Sequence, residues 1–185
     1  MLDKDYKSWL KEVKTKIQSS QIKAAIAVNS ALIEFYYDLG KMIVEKQKNS
    51  SWGNKLIEKL SLDLKAEFPK LKGFSKTNLK YCKNFYLFYN EYLISQQLVD
   101  QLQEFDSNDF YPHDNDGIIK KIKQIPWGHN IIIFTKIVDK KEAFYYIQKT
   151  ISNNWSRDRL AFQIKNKLYQ REGKAITNFE NRFKE

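Results

Sequence analysis

The sequence predicts an all-α fold of six to seven helices with two helix-turn-helix-like units. Three observations carry that expectation. Apolar residues recur at three-four spacing along most of the chain, only 6 Gly and 3 Pro interrupt 185 residues, and Ser or Asp stands at capping positions ahead of several periodic runs. Hydrophobic residues at 42% and aromatics at 15% supply a core. A chain of this length buries roughly 70% of its unfolded surface without help from a disulfide or a metal.

The elements follow in order. Tyr6, Trp9, Val13 and Ile17 mark an amphipathic helix over about 5–19. A second helix, about 22–48, repeats Ala25, Val28, Leu32, Phe35, Leu39 and Met42 like a short coiled-coil seam. Gly40 interrupts it at roughly 1 kcal/mol in a helix interior. A turn is expected at Asn49-Ser50-Ser51-Trp52-Gly53, then a helix over 54–68 with Leu56, Ile57, Leu60, Leu64 and Phe68 on one face, stopped by Pro69. Ser75 caps the next helix, which runs to about Leu93 with Leu79, Cys82, Tyr86 and Tyr89 inward. Residues 95–125 form an acidic linker or long loop between a lobe at 1–94 and a second lobe at 126–185 packed on the first. In that second lobe Ile131-Ile132-Ile133-Phe134 suits a short buried helix, its β-branched content also fitting a strand. Asp139 and Glu142 have capping-box spacing, and Ser156 caps a helix with Leu160, Ile164 and Leu168 inward.

Charge narrows the partners. The formal net charge is +10, yet residues 95–117 carry −6 and residues 118–185 carry +9. A field of that sign on a small protein attracts phosphates first and anionic proteins second. Cys82 is the single cysteine, read as core packing in a chain suited to a reducing cytoplasm. No apolar run approaches a membrane span.

Two places pair a helix, a turn and a Ser-capped helix with cations near its start. The first presents Lys76, Lys80 and Lys83 outward with Asn78 beside them. The second presents Arg157, Arg159, Gln163 and Lys165, with Asn166 also expected outward. Lysines and arginines meet phosphates, whereas Asn78 and Gln163 have amides suited to base edges. Trp52, Trp127 and Trp155 are assigned to the hydrophobic frame. No phosphate-binding glycine loop or nucleophile elbow occurs, and His113 and His129 lack neighbours at metal-ligand spacing. No catalytic centre, cofactor, metal or small-molecule substrate is therefore expected.

Taken together, several motifs resemble a known family. They are Ala27-Val28-Asn29-Ser30, Tyr36-Tyr37-Asp38-Leu39-Gly40-Lys41, Trp52-Gly53, Gly73-Phe74-Ser75, Asn78-Leu79-Lys80-Tyr81, Pro126-Trp127-Gly128-His129-Asn130, Trp155-Ser156-Arg157, Leu168 through Lys174, and Thr177-Asn178-Phe179. In this order they are similar to the N-terminal helical domain of the bacterial YhcG family of predicted PD-(D/E)xK nucleases. The resemblance implies a nuclease domain after Phe179, which this sequence does not contain, and so no catalytic residue carries over. The expectation is a DNA-binding or targeting module that meets duplex DNA. The alternative is a protein-interaction module or homodimer formed through the Ala25-to-Met42 seam.

Overall fold

The computed structural model describes the backbone of residues 2–49, 55–100 and 115–172, and the side chains of residues 5–49, 55–90 and 116–172. The expected Trp52-Gly53 turn, the acidic segment at 101–114 with His113, and the motif residues from Gly173 to Phe179 lie outside the described residues. Every described element is helical. They are α1 (Leu2–Lys48), α2 (Lys55–Glu67), α3 (Lys76–Asp100), α4 (Asn115–Ile122), α5 (Trp127–Lys136), α6 (Lys140–Asn153) and α7 (Arg157–Lys165), followed by a short α8 at 168–172. That is eight among the described residues, where six or seven were expected.

The first two expected helices are one. Ser19, Ser20 and Gln21 contain no Gly or Pro to break the ladder, so α1 continues for 47 residues, about 70 Å at 1.5 Å per residue. Its packed stripe also differs in phase from the seam read in the sequence. Ile33, Tyr36, Tyr37, Ile43 and Val44 are buried, and of the Ala25-to-Met42 seam only Leu39 joins them. The reason is Gly40. It lies where α1 crosses α3, and a Cβ there would collide with the Cys82 carbonyl and approach Tyr86 Cβ to 2.9 Å. The helix-interior glycine permits close backbone approach, which turns the stripe around Gly40 inward.

Around this α1–α3 pair the core forms two clusters. In the smaller one, Tyr36, Leu39 and Ile43 of α1 meet Ile57 of α2, Phe74, and Leu79 and Cys82 of α3. Ser61 Oγ donates to the Phe74 carbonyl at 2.7 Å, tying α2 to the chain entering α3. The larger cluster gathers Ile33 and Tyr37, Phe85 and Tyr89, and the apolar faces of α4 to α7. Part of the stretch read as linker contributes to it, since Ile118, Ile122 and Ile125 are buried. The Ile131–Phe134 run is helical and lies within α5.

Three expected caps are present. Ser75 Oγ accepts from Asn78 N at 3.1 Å, Asp139 Oδ1 from Glu142 N at 2.7 Å, and Ser156 Oγ from Arg159 N at 3.2 Å. Asn154 closes α6 in the left-handed region at φ 48°, a conformation Asn tolerates. The α6–α7 connection is thus only residues 154–156, whereas α2 and α3 are separated by residues 68–75. The first exceeds neither the three- nor four-residue turn of a helix-turn-helix; the second is about twice that length.

Candidate nucleic-acid interface

Motif segments far apart in sequence meet around the α4–α5 connection and the start of α5, and asparagines position them. Asn29 Nδ2 of α1 donates to the carbonyls of Lys123 and Ile125 at 3.2 and 3.3 Å. Asn130 Nδ2 of α5 donates to those of Ile122 and Ile125 at 3.0 and 3.2 Å. Two amides therefore clamp the α4–α5 connection, which fixes where Pro126 and Trp127 begin α5. A buried carbonyl without a partner costs about 1–3 kcal/mol, so each clamp carries weight.

Trp127 is then held on four sides. Its ring lies 4.8 Å from Tyr36, 5.0 Å from Phe85 in an edge-on arrangement, and 6.0 Å from Phe134. Its Nε1 donates to Asn78 Oδ1 at 2.8 Å. Asn78 Nδ2 in turn donates to the Gly73 carbonyl at 2.7 Å. Gly73 has φ +106°, and a side chain there would also strike the Tyr36 hydroxyl. Burial raises the Tyr36 phenol above its ordinary pKa, and the neighbouring Cys82 adds to that while Asn78 opposes it. Trp127 packs against both core clusters and joins them.

Beyond Trp127 the contacts pass to α7. An added Cβ on Gly128 would meet Arg157 Cδ at 3.6 Å, so the arginine stem lies across the start of α5. His129 Nε2 donates to the Trp155 carbonyl at 3.0 Å, just ahead of the Ser156 cap. The first turns of α3, α5 and α7 consequently adjoin through Asn78–Trp127 and Gly128–Arg157. Each helix start carries a partial positive charge, an ordinary element of an anion site, with one amide of α3 and one of α7 already taken by Ser75 and Ser156.

The expected site residues divide on this frame. Lys76, Lys80, Arg157, Arg159 and Lys165 are exposed, and Lys83 is half-buried. Lys76 pairs with Glu58 of α2, whose carboxyl is held below its usual range first by that hydrogen bond. At about 100° per residue Asn78 lies roughly 200° round α3 from Lys76. The Lys76–Lys80–Lys83 stripe therefore turns to solvent and α2 while Asn78 turns to α5. Asn78 does not face outward as expected: both ends of its amide are bonded inside the protein. Gln163 departs from expectation in the same way. It is 8% exposed, and with its amide oxygen turned to the Arg159 guanidinium of the same helix it accepts from Nε and Nη2 at 3.2 and 3.1 Å. The α3 lysines and the arginines of α7 thus stand on two different helices whose starts adjoin α5.

Sequence reasoning missed Asn29 and Asn130 as clamps, and it missed the Asn78–Trp127 bond. One signal was available, a polar Asn130 directly before four apolar residues. Among the described residues no group of three His, Cys, Asp or Glu side chains is placed to hold a metal. No helix there is long and apolar enough to cross a membrane.

Residues 12–171 match the family model described as the DUF1016 N-terminal domain. Among curated proteins, "Putative nuclease YhcG" of Escherichia coli (strain K12) is 26% identical over 165 residues, covering 84% of this chain and 43% of the relative. The chain thus spans less than half the length of that relative. No solved structure matches it.

Proposed function

The chain belongs to the DUF1016 N-terminal domain family, and from that membership and the helix-start junction we propose that it is a nucleic-acid-binding module that works beside a nuclease. The observation that carries this reading is Arg157 at the Ser156-capped start of α7, laid across Gly128 at the start of α5. A guanidinium beside two helix N-termini suits a phosphate, which it can bind in a bidentate manner. Asp158 is the acidic residue in that first turn, and it lies about 100° round α7 from Arg157.

In this reading Arg157, Arg159 and Lys165 meet phosphates on one flank, and Lys76, Lys80 and Lys83 on the other. Duplex DNA is the favoured form, with α6 and α7 acting as the helix-turn-helix-like pair because residues 154–156 give the right turn length. The nuclease name of the relative supports a nucleic-acid partner. Phosphodiester cleavage is assigned to a companion domain or protein, and this domain supplies binding. The test is fluorescence anisotropy with a labelled duplex of about two helical turns across a salt series. Affinity should fall steeply, with a log–log slope near −0.9 for each phosphate contact. Absence of binding at low salt would refute the reading.

A second reading, self-association along the Ala25-to-Met42 seam, has its own support. Val28, Leu32, Phe35 and Met42 of that seam are 70%, 39%, 46% and 65% exposed. Sedimentation at micromolar protein separates the two, since the first reading does not require a dimer.

A further inference from the structure

Between Asp5 and Val28 every side chain of α1 is exposed except Leu10 and Val13, which are half-buried. This half of α1 lies beyond the packed stripe that begins at Ile33, and it is not a polar helix. Tyr6, Trp9, Ile17 and Ile22 are 56%, 57%, 52% and 61% exposed. A strict three-four register runs through Leu10, Val13, Ile17, Ser20, Ala24 and Ala27, all apolar or small. Sustained over several heptads, that spacing forms the seam of a coiled coil, with the charges beside it setting partner choice.

The flanking charges here have one sign. In this register Lys7, Lys14, Lys16 and Lys23 occupy the e and g positions between Tyr6 and Ala31, and no carboxylate does. Asp5 and Glu12 fall at c positions, away from the seam. A second copy in either orientation would set lysines against lysines. A nucleic acid would use the lysines but leave the apolar seam in water. An acidic amphipathic helix satisfies both features, because its carboxylates meet the lysines while its apolar residues cover the seam. The small residues at Ser20, Ala24 and Ala27 leave room for large ones opposite.

We propose that the first half of α1 is a docking helix for an acidic amphipathic helix of a partner protein, independent of the phosphate-binding flanks. The probe is a labelled synthetic peptide of about four heptads, with Leu at the seam positions and Glu at the flanks. Controls are a scrambled peptide of the same composition and one carrying Lys at the flanks. Anisotropy against the full chain should show the acidic heptad peptide binding at least about tenfold more tightly than either control. Ile17→Asp, at an exposed position, and Lys14→Glu with Lys16→Glu should each weaken it by about tenfold or more. Duplex DNA affinity of Ile17→Asp should stay unchanged, which separates this inference from the phosphate reading. Three results overturn it: no binding, equal binding of the scrambled peptide, or micromolar self-association of the chain that Ile17→Asp abolishes. The last would make a second copy the occupant.

Discussion

Trp127 Nε1 donates to Asn78 Oδ1 at 2.8 Å, and that bond ties the start of α5 to the start of α3 across 49 residues of sequence. Because Trp127 also touches both core clusters, the placement of the proposed interface and the stability of the fold depend on the same side chain. Trp127→Phe keeps a ring but strands the Asn78 oxygen, and should destabilise by about 1–3 kcal/mol. Asn78→Ala should cost a similar amount. In urea denaturation the double variant should fall short of the sum, with a coupling energy above about 0.5 kcal/mol. Strict additivity would mean that the bond contributes nothing.

Glycine substitution separates close packing from helix propensity. Gly40→Ala gains up to about 1 kcal/mol of propensity, yet it drives a methyl into the Cys82 carbonyl. The α1–α3 pair must part, so the net effect should be destabilising by about 1–3 kcal/mol. Gly128→Ala meets Arg157 Cδ at 3.6 Å and Nε at 3.8 Å, both ordinary contacts, and should be neutral or slightly stabilising. Thermal melts of the two variants should shift in opposite directions, or Gly40→Ala alone should fall.

Cys82 should behave as a buried apolar residue. Burial pushes its thiol up to about 12, so almost no thiolate exists near neutral pH. Labelling with a thiol reagent at pH 8 should be slow in the native protein and should accelerate with urea in step with unfolding. Rapid labelling of the folded chain would contradict the α1–α3 packing.

Acid should loosen the α6–α8 contact. The Glu172 carboxyl is held below its usual range by the Tyr145 hydroxyl first and by Lys149, 2.9 Å away. A carboxyl lowered in the folded state contributes stability above its unfolded pKa, roughly 4.3, and loses it as pH falls through the folded value. Stability should therefore decline below about pH 4.3, and Glu172→Gln should flatten that decline. An unchanged pH profile in the variant would show that the contact carries no linkage.

How much of this was legible in the sequence depends on whether the signal was local. The Ser75, Asp139 and Ser156 caps were, because a cap is read from residues three apart. The all-helical character was too, down to Ile131–Phe134. The phase of α1 was not, since two apolar stripes with similar spacing run along it and only the partner helix, through Gly40 and Cys82, selects one. Asn78 and Gln163 misled for a related reason. An amide looks the same in sequence whether it reads a base or braces a tryptophan or an arginine, and only tertiary neighbours decide. The extent of α1 was misjudged because Ser and Gln between two patterned stretches were read as a break, although neither stops a helix.

In the proposed interface, phosphates settle at the adjoining starts of α5 and α7, beside Arg157 and Arg159 of α7. Amide chemical shifts of isotopically labelled protein, followed while duplex DNA is added at low salt, test it most directly. The largest changes should fall on Gly128, His129 and Ser156 to Arg159, and they should fade in Arg157→Ala with Arg159→Ala. Changes confined to the first half of α1, or none at all, would contradict it.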